Sequence, residues 1–150
     1  MQDRVEKRIE LKAPVSRVWR ALTDYREFSE WFRVTLEGPF IAGREVRGRN
    51  AYPGYEHLKF ALTVQRIEPE RLFAYTWHPY AIDPAVDYSG ETPTLVEFTL
   101  TPVPGGTLLV VAESGFAAVP ANRRDEAFRK HNEGWAIQLE NIARHVGQAT

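Results

Sequence analysis

NRRDEAFRKHNEGWAIQLENIARHV, residues Asn122 to Val146, carries the strongest helical period in the chain. Phe128, Trp135, Leu139, Ile142 and Val146 fall at spacings of seven, four, three and four, so on a helix they line one stripe, which Ala136 and Ala143 widen. The opposite face carries Arg124, Glu126, Arg129, Lys130, Glu133 and Glu140, with Glu126 four residues before Lys130 as in an exposed helical pair. Asn122 reads as the N-cap, Arg144 and His145 fill the last turn, and Gly147 offers a stop. The pattern predicts one long helix whose apolar stripe needs a surface to lie on. Gly134 interrupts it. A glycine inside a helix costs about 1 kcal/mol against alanine, so its presence predicts close backbone approach or a slight bend beside Trp135.

The rest of the chain supplies that surface. Val5, Lys7, Ile9 and Leu11 alternate with Glu6, Arg8 and Glu10 in a first strand that Pro14 breaks. Val15, Val18, Trp19 and Leu22 then fall at helical spacing with Pro14 as the first helical position, and Tyr25, Phe28, Trp31 and Phe32 share a face beyond a cap at Thr23 or Asp24. Two short helices therefore follow strand one. From Val34 the period becomes two. Val34 to Leu36 and Glu45 to Arg49 are short strands, and Leu58, Phe60, Leu62 and Val64 alternate in a longer one. Arg71 to His78 is a further strand, whose aromatic set Phe73, Tyr75 and Trp77 is predicted to face inward. Pro79 to Pro93 reads as a long loop. Val96, Phe98 and Leu100 alternate, Pro104-Gly105-Gly106 turns the chain, and Thr107 to Ser114 returns as a hairpin. The sum is about seven strands, a curved sheet gripping the C-terminal helix.

Composition narrows the function classes. A chain of 150 residues, 43% apolar and 26% charged, is long enough to bury a core without metals or disulfides, and it reads as one domain over residues 1–150. A formal charge of -1 offers no basic field for nucleic acid or anionic lipid. The absence of cysteine excludes thiol catalysis and thiolate metal sites. MQDRVEKRIE has neither a signal-peptide core nor a spanning segment, which predicts a cytoplasmic protein. Asp83, Asp87 and Glu91 recur at intervals of four but lack the spacing of a calcium loop, so no metal and no cofactor is expected.

The words RIELKAPVSRVWRALTD, RLFAYTW, LVEFTLTPVPGGTLLVVAESGF and GWAIQLENIARHV, together covering much of the chain, resemble the bacterial single-domain homologues of the activator of the heat-shock protein 90 ATPase. That resemblance implies the helix-grip fold of the START-like, or SRPBCC, superfamily, which also holds the birch-pollen-allergen family and aromatic polyketide cyclases. The expected fold class is α+β: a curved antiparallel sheet of about seven strands wrapped around a long C-terminal helix, with two short helices after strand one. Each of these words is a packing or turn word and none is a catalytic signature. The eukaryotic activator has a further N-terminal domain that contributes to chaperone contact, so the resemblance does not carry chaperone activation over. It does imply a hydrophobic pocket.

Glu113 shares parity with Leu109 and Val111, which points a carboxylate inward. Burial raises such a group's pKa unless a cation or donors hold the charged form, so Glu113 is an acid or base, a ligand anchor, or a rim residue capping the Ser114-Gly115 turn. His78 follows Trp77 and precedes Pro79-Tyr80, where imidazole, indole and phenol could converge at a pocket mouth, and His131 near the edge of the long helix's stripe could reach Glu113. The foremost reading is a binding module for a hydrophobic or aromatic small molecule, with Phe60, Leu62, Tyr75, Trp77, Phe98, Val111, Glu113, Trp135 and Leu139 lining the pocket and Trp31 near its mouth. A second is a cyclase- or hydrolase-like enzyme in which Glu113 works with His78 or His131 on a ketone or ester. A third is an interaction protein, with homodimerisation as its milder form.

Overall fold

Alternation becomes strand wherever the sequence has period two, and the strands close into one sheet. The structure, a computed structural model, describes residues 3–79, 83 and 85–148. In chain order the elements are β1 (Arg4–Leu11), α1 (Val15–Thr23), α2 (Tyr25–Phe32), β2 (Val34–Leu36), β3 (Glu45–Asn50), β4 (Lys59–Glu68), β5 (Leu72–Trp77), β6 (Thr94–Val103), β7 (Gly106–Ser114), a single 3₁₀ turn at Phe116–Ala118 and α3 (Ala121–Gln148). All neighbouring strands pair antiparallel in the order β1-β7-β6-β5-β4-β3-β2. The first strand thus lies beside the last, from Arg4 opposite Ser114 to Leu11 opposite Thr107. A bulge between Val64 and Arg66 bends β4, and the sheet curves around α3.

The short helices close one end of the grip. Pro14 stands just before α1 with φ of -67°, one position earlier than its fixed φ suggested, and its carbonyl accepts from the Arg17 and Val18 N–H groups. Asp24 caps α2 by accepting the Arg26 N–H. Val18, Ala21, Leu22, Phe28, Trp31 and Phe32 are buried. Glu27 braces this end to α3, accepting from Arg17 at 2.7 Å and Arg20 at 2.8 Å and meeting His145 Nε2 at 2.8 Å.

Along α3, Trp135, Leu139, Ile142 and Val146 are buried as the period predicts, and Phe128 is half-buried, its ring edge-on to Phe116. Ala143 packs half-buried against the core as expected, whereas Ala136 does not. Ala127 is buried while Ala136 is exposed, because Ala136 lies about 100° round the helix from Trp135, away from Ala127 and His131. The helix begins at Ala121, so Asn122 sits inside the first turn and is not the cap. In β5 the inward set is Phe73, Tyr75 and Trp77, as the aromatic pattern predicts; Leu72 and Ala74 on the other face are also buried but stand outside the main core.

One further expectation about α3 changes. An added side chain at Gly134 would meet nothing within 4 Å, so this glycine opens space beside Trp135 instead of allowing close approach. The segment after β5 is tied down where it is described: Arg123 of α3 donates to Glu91 at 2.6 Å and lies 4.7 Å from the Tyr88 ring centroid. Tyr80 and Pro84 lie outside the described residues. Asp83 and Asp87 accept the N–H groups of Ala85 and Ser89, and no acid or histidine cluster among the described residues could hold a metal. No helix among them is long and apolar enough to cross a membrane.

The glycines therefore differ in what a methyl group would do. At Gly106 it would fall 1.9 Å from the Leu11 carbonyl oxygen, at the junction of β1 and β7. Gly134→Ala is expected to raise stability by about 0.8–1 kcal/mol, the helix-propensity difference, and Gly106→Ala to lower it; urea melts of the two variants check this.

Candidate functional site

Strand parity in β7 carries Leu109, Val111 and Glu113 to the inner face, and Glu113 is fully buried, with 0% of its surface exposed. A carboxylate there needs donors to replace water. Four arrive from three elements. Trp77 Nε1 at the end of β5 donates to Oε2 at 2.8 Å, and Thr94 Oγ1 at the start of β6 donates to the same oxygen at 2.6 Å. From α3, Trp135 Nε1 donates to Oε1 at 2.8 Å and His131 Nδ1 meets Oε1 at 2.6 Å. An ionised carboxylate only accepts, so His131 carries its proton on Nδ1. Burial pushes the Glu113 pKa up, but the hydrogen bond and charge of His131, with Thr94 and Trp77, outweigh it and hold the group below the usual carboxylate range.

Next to this network the grip is open. Phe32, Trp77, His131, Gly134, Trp135 and Gln138, with Lys130, border a cleft of about 120 Å³. A neighbouring groove of about 410 Å³ shares Trp77, Lys130 and His131 with it and continues past Phe60, Lys59, His78 and Tyr88. The indoles of Trp77 and Trp135 stack with centroids 5.8 Å apart, Phe32 lies 5.9 Å from Trp77 and 6.0 Å from Trp135, and Phe60 stands edge-on to Trp77 at 5.7 Å. The wall is thus aromatic. Lys59 and Lys130 contribute positive charge, and no aspartate or glutamate lines either space.

The residues singled out in sequence divide between wall and core. Phe60, Trp77 and Trp135 border the open spaces, with Glu113 buried directly behind the two indoles. Leu62, Tyr75, Phe98, Val111 and Leu139 lie within the packed core and border neither space. Trp31, expected near the mouth, is 3% exposed and donates from Nε1 to the Ala21 carbonyl at 2.8 Å, because α2 turns that face onto α1. Of the two histidines, His131 reaches Glu113. His78 lines the groove, and its buried Nδ1 has no partner among the described residues. The Tyr75 hydroxyl is likewise buried without a partner among them, and burial, then the charge of Glu113, pushes its pKa well up. Phe32, Lys130, Gly134 and Gln138 border the cleft without having been expected there. Of these only Gly134 left a signal, its penalty inside a helix.

Comparison with known proteins agrees with this architecture. The model of the family "Activator of Hsp90 ATPase homolog 1-like protein" matches residues 12–147. The chain belongs to that family. None of the curated proteins compared matches it. Among solved structures, protein MLL2253 from Mesorhizobium loti is 28% identical, covers 98% of both chains and superposes with a TM-score of 0.77. DynU16, a protein in the dynemicin biosynthetic locus, is 25% identical with a TM-score of 0.76; the match covers 100% of this chain, which spans 49% of that one. The Aha1 dimer from Colwellia psychrerythraea, 16% identical over 99% of both chains with a TM-score of 0.73, shares the fold. These are helix-grip relatives, as the seven-stranded sheet and long C-terminal helix require.

The carboxylate network makes a pH-dependent prediction. A group whose folded pKa is lowered stabilises above its unfolded value, near 4.5, and that contribution is lost as pH falls through the folded value. Glu113→Gln is therefore expected to cost about 3–5 kcal/mol at neutral pH, the penalty of breaking a buried pair, with the gap to wild type narrowing as both are melted at pH values below about 4.5.

Proposed function

We propose that the protein binds a small aromatic or hydrophobic molecule at the open end of the grip, with the ring lying against Trp77 and Trp135. The observation that supports this most is the unfilled space at Gly134. A helix whose stripe is otherwise packed on the sheet leaves one turn open beside two stacked indoles. The groove beyond it, about 410 Å³, lies within the range of about 300–1,000 Å³ typical of ligand sites, and its walls combine aromatic faces with a few polar groups. The occupant would sit outside the core of Leu62, Phe98, Val111 and Leu139, with the buried Glu113 network as the floor beneath the indoles. A similar protein in the dynemicin biosynthetic locus supports a setting in small-molecule chemistry.

Gly134→Leu separates a site from a packing defect. Its side chain enters open space, so the variant is expected to fold with stability at or above wild type while losing most binding of an anilinonaphthalene dye. Wild type should show dye fluorescence and a rise in melting temperature with dye concentration, as binding to the native state requires. Equal dye binding by both proteins, or none by wild type across a panel of aromatic ligands, would contradict the proposal.

A further inference from the structure

We propose that this site takes an aromatic molecule carrying an acidic hydroxyl, a phenol or an enol, and holds it as the anion with the proton on His131 Nε2. The inference rests on the reading of the cleft as a ligand site and adds the chemistry of its occupant. Glu113 fixes the His131 ring by accepting from Nδ1 at 2.6 Å, which leaves Nε2 as the ring's second nitrogen. Nε2 has no partner among the described residues, and His131 borders both the cleft and the groove. In the neutral ring this nitrogen accepts and in the imidazolium it donates, so in an aromatic wall it suits a ligand that can give its proton to the one form or meet the other as the anion. Carboxylic acids have already lost theirs at neutral pH; phenols and enols have not.

The proton movement balances within the site. The ligand O–H bond breaks and an Nε2–H bond forms, so an imidazolium stands between the Glu113 carboxylate and the new phenolate. No proton reaches Glu113, which acts as a positioning residue. The same bound state is reached from imidazolium and free phenolate. Around His131 the lysines favour the ligand anion, while the Glu113 carboxylate favours the imidazolium and opposes a second anion beyond it. Lys130 on α3 and Lys59 on β4 bring positive charge to the lining, and His78 after β5 and Tyr88 from the following loop complete its titratable groups. Phe32 of α2 and Phe116 of the 3₁₀ turn present only rings, the latter 5.9 Å from the His131 ring. Glu113 itself is held in its charged form by the donors described above.

The test uses 4-nitrophenol, whose phenolate absorbs in the visible, and 4-nitroanisole, the same ring with a methyl ether that cannot ionise. Each is titrated with wild type, and the 4-nitrophenol midpoint is measured with and without saturating protein. Binding is expected to lower that midpoint by about 1–3 pH units, the effect of an opposite charge within about 4–6 Å. His131→Gln, whose amide can still donate to Glu113, is expected to return the 4-nitrophenol midpoint close to the free value at protein concentrations that saturate the variant, its 4-nitroanisole affinity being measured alongside to set them. Lys130→Met should keep most of the lowered midpoint. If 4-nitroanisole and 4-nitrophenol both bind but the latter titrates as it does when free, the proton-acceptor inference is overturned and the cleft reading stands. A lowered midpoint that survives His131→Gln and disappears in Lys130→Met overturns it too, in favour of the lysine. Failure of both probes to bind overturns the cleft reading with it.

Discussion

A carboxylate carried inward at the end of β7 must be met by hydrogen-bond donors, and this requirement ties three elements of the protein together. Stripping water from an ionised carboxylate has an effective penalty of several kcal/mol, which only well-aligned donors offset. Glu113 receives them from β5, β6 and α3 at 2.6–2.8 Å. Apolar burial places the long helix on the sheet, but a stripe of Trp135, Leu139, Ile142 and Val146 leaves its axial register loosely specified. The directional bonds from Trp135 and His131 to one oxygen define that register. They also fix the rings. Once both indoles point their N–H groups at Glu113, their faces stack, and the wall of the cleft is set by the same contacts that satisfy the buried charge.

Much of the fold was legible because its signals are periodic. The long helix, the inward set of β5, the alternation in β4, β6 and β7 and the turn at Gly105-Gly106 follow from spacing alone, and they fix which faces must meet. Where the structure departs from the pattern, a tertiary constraint decides. Ala136 has the right chemistry for the stripe, yet it stays exposed while Ala143 packs against the core and Ala127 and His131 extend the stripe on the other side. Asn122 is a good capping residue two positions too late. Gly134 carries a real signal in sequence, a costly residue in a helix, but periodicity cannot say whether its missing side chain admits a neighbour or leaves a space.

The candidate site was legible only in part. The inward direction of Glu113 follows from strand parity with Leu109 and Val111, and the placing of His131 near the stripe's edge follows from helical spacing. That these two meet, and that His78 does not join them, depends on how far α3 slides along the sheet, which no local pattern encodes. The boundary between wall and core is equally non-local. Leu62, Phe98 and Trp77 all project from the sheet's inner face, yet only Trp77 lies far enough along its strand to reach the open end. Thr94, fully buried and bonded to Glu113, shares parity with Val96, Phe98 and Leu100, but a polar residue at the start of a strand carries no apolar signal to mark it.

The ionisation of Glu113 inside the closed protein is the most direct test of this account. Its carboxyl carbon, followed by ¹³C NMR in glutamate-labelled protein with Glu113→Asp as the assignment control, reports that state as pH is lowered. The expected result is a titration midpoint below 4.5, because four donors outweigh the penalty of burial. A midpoint at or above 4.5 in the folded protein would mean that desolvation wins, and that Glu113 does not hold the helix, the indoles and His131 in the arrangement described.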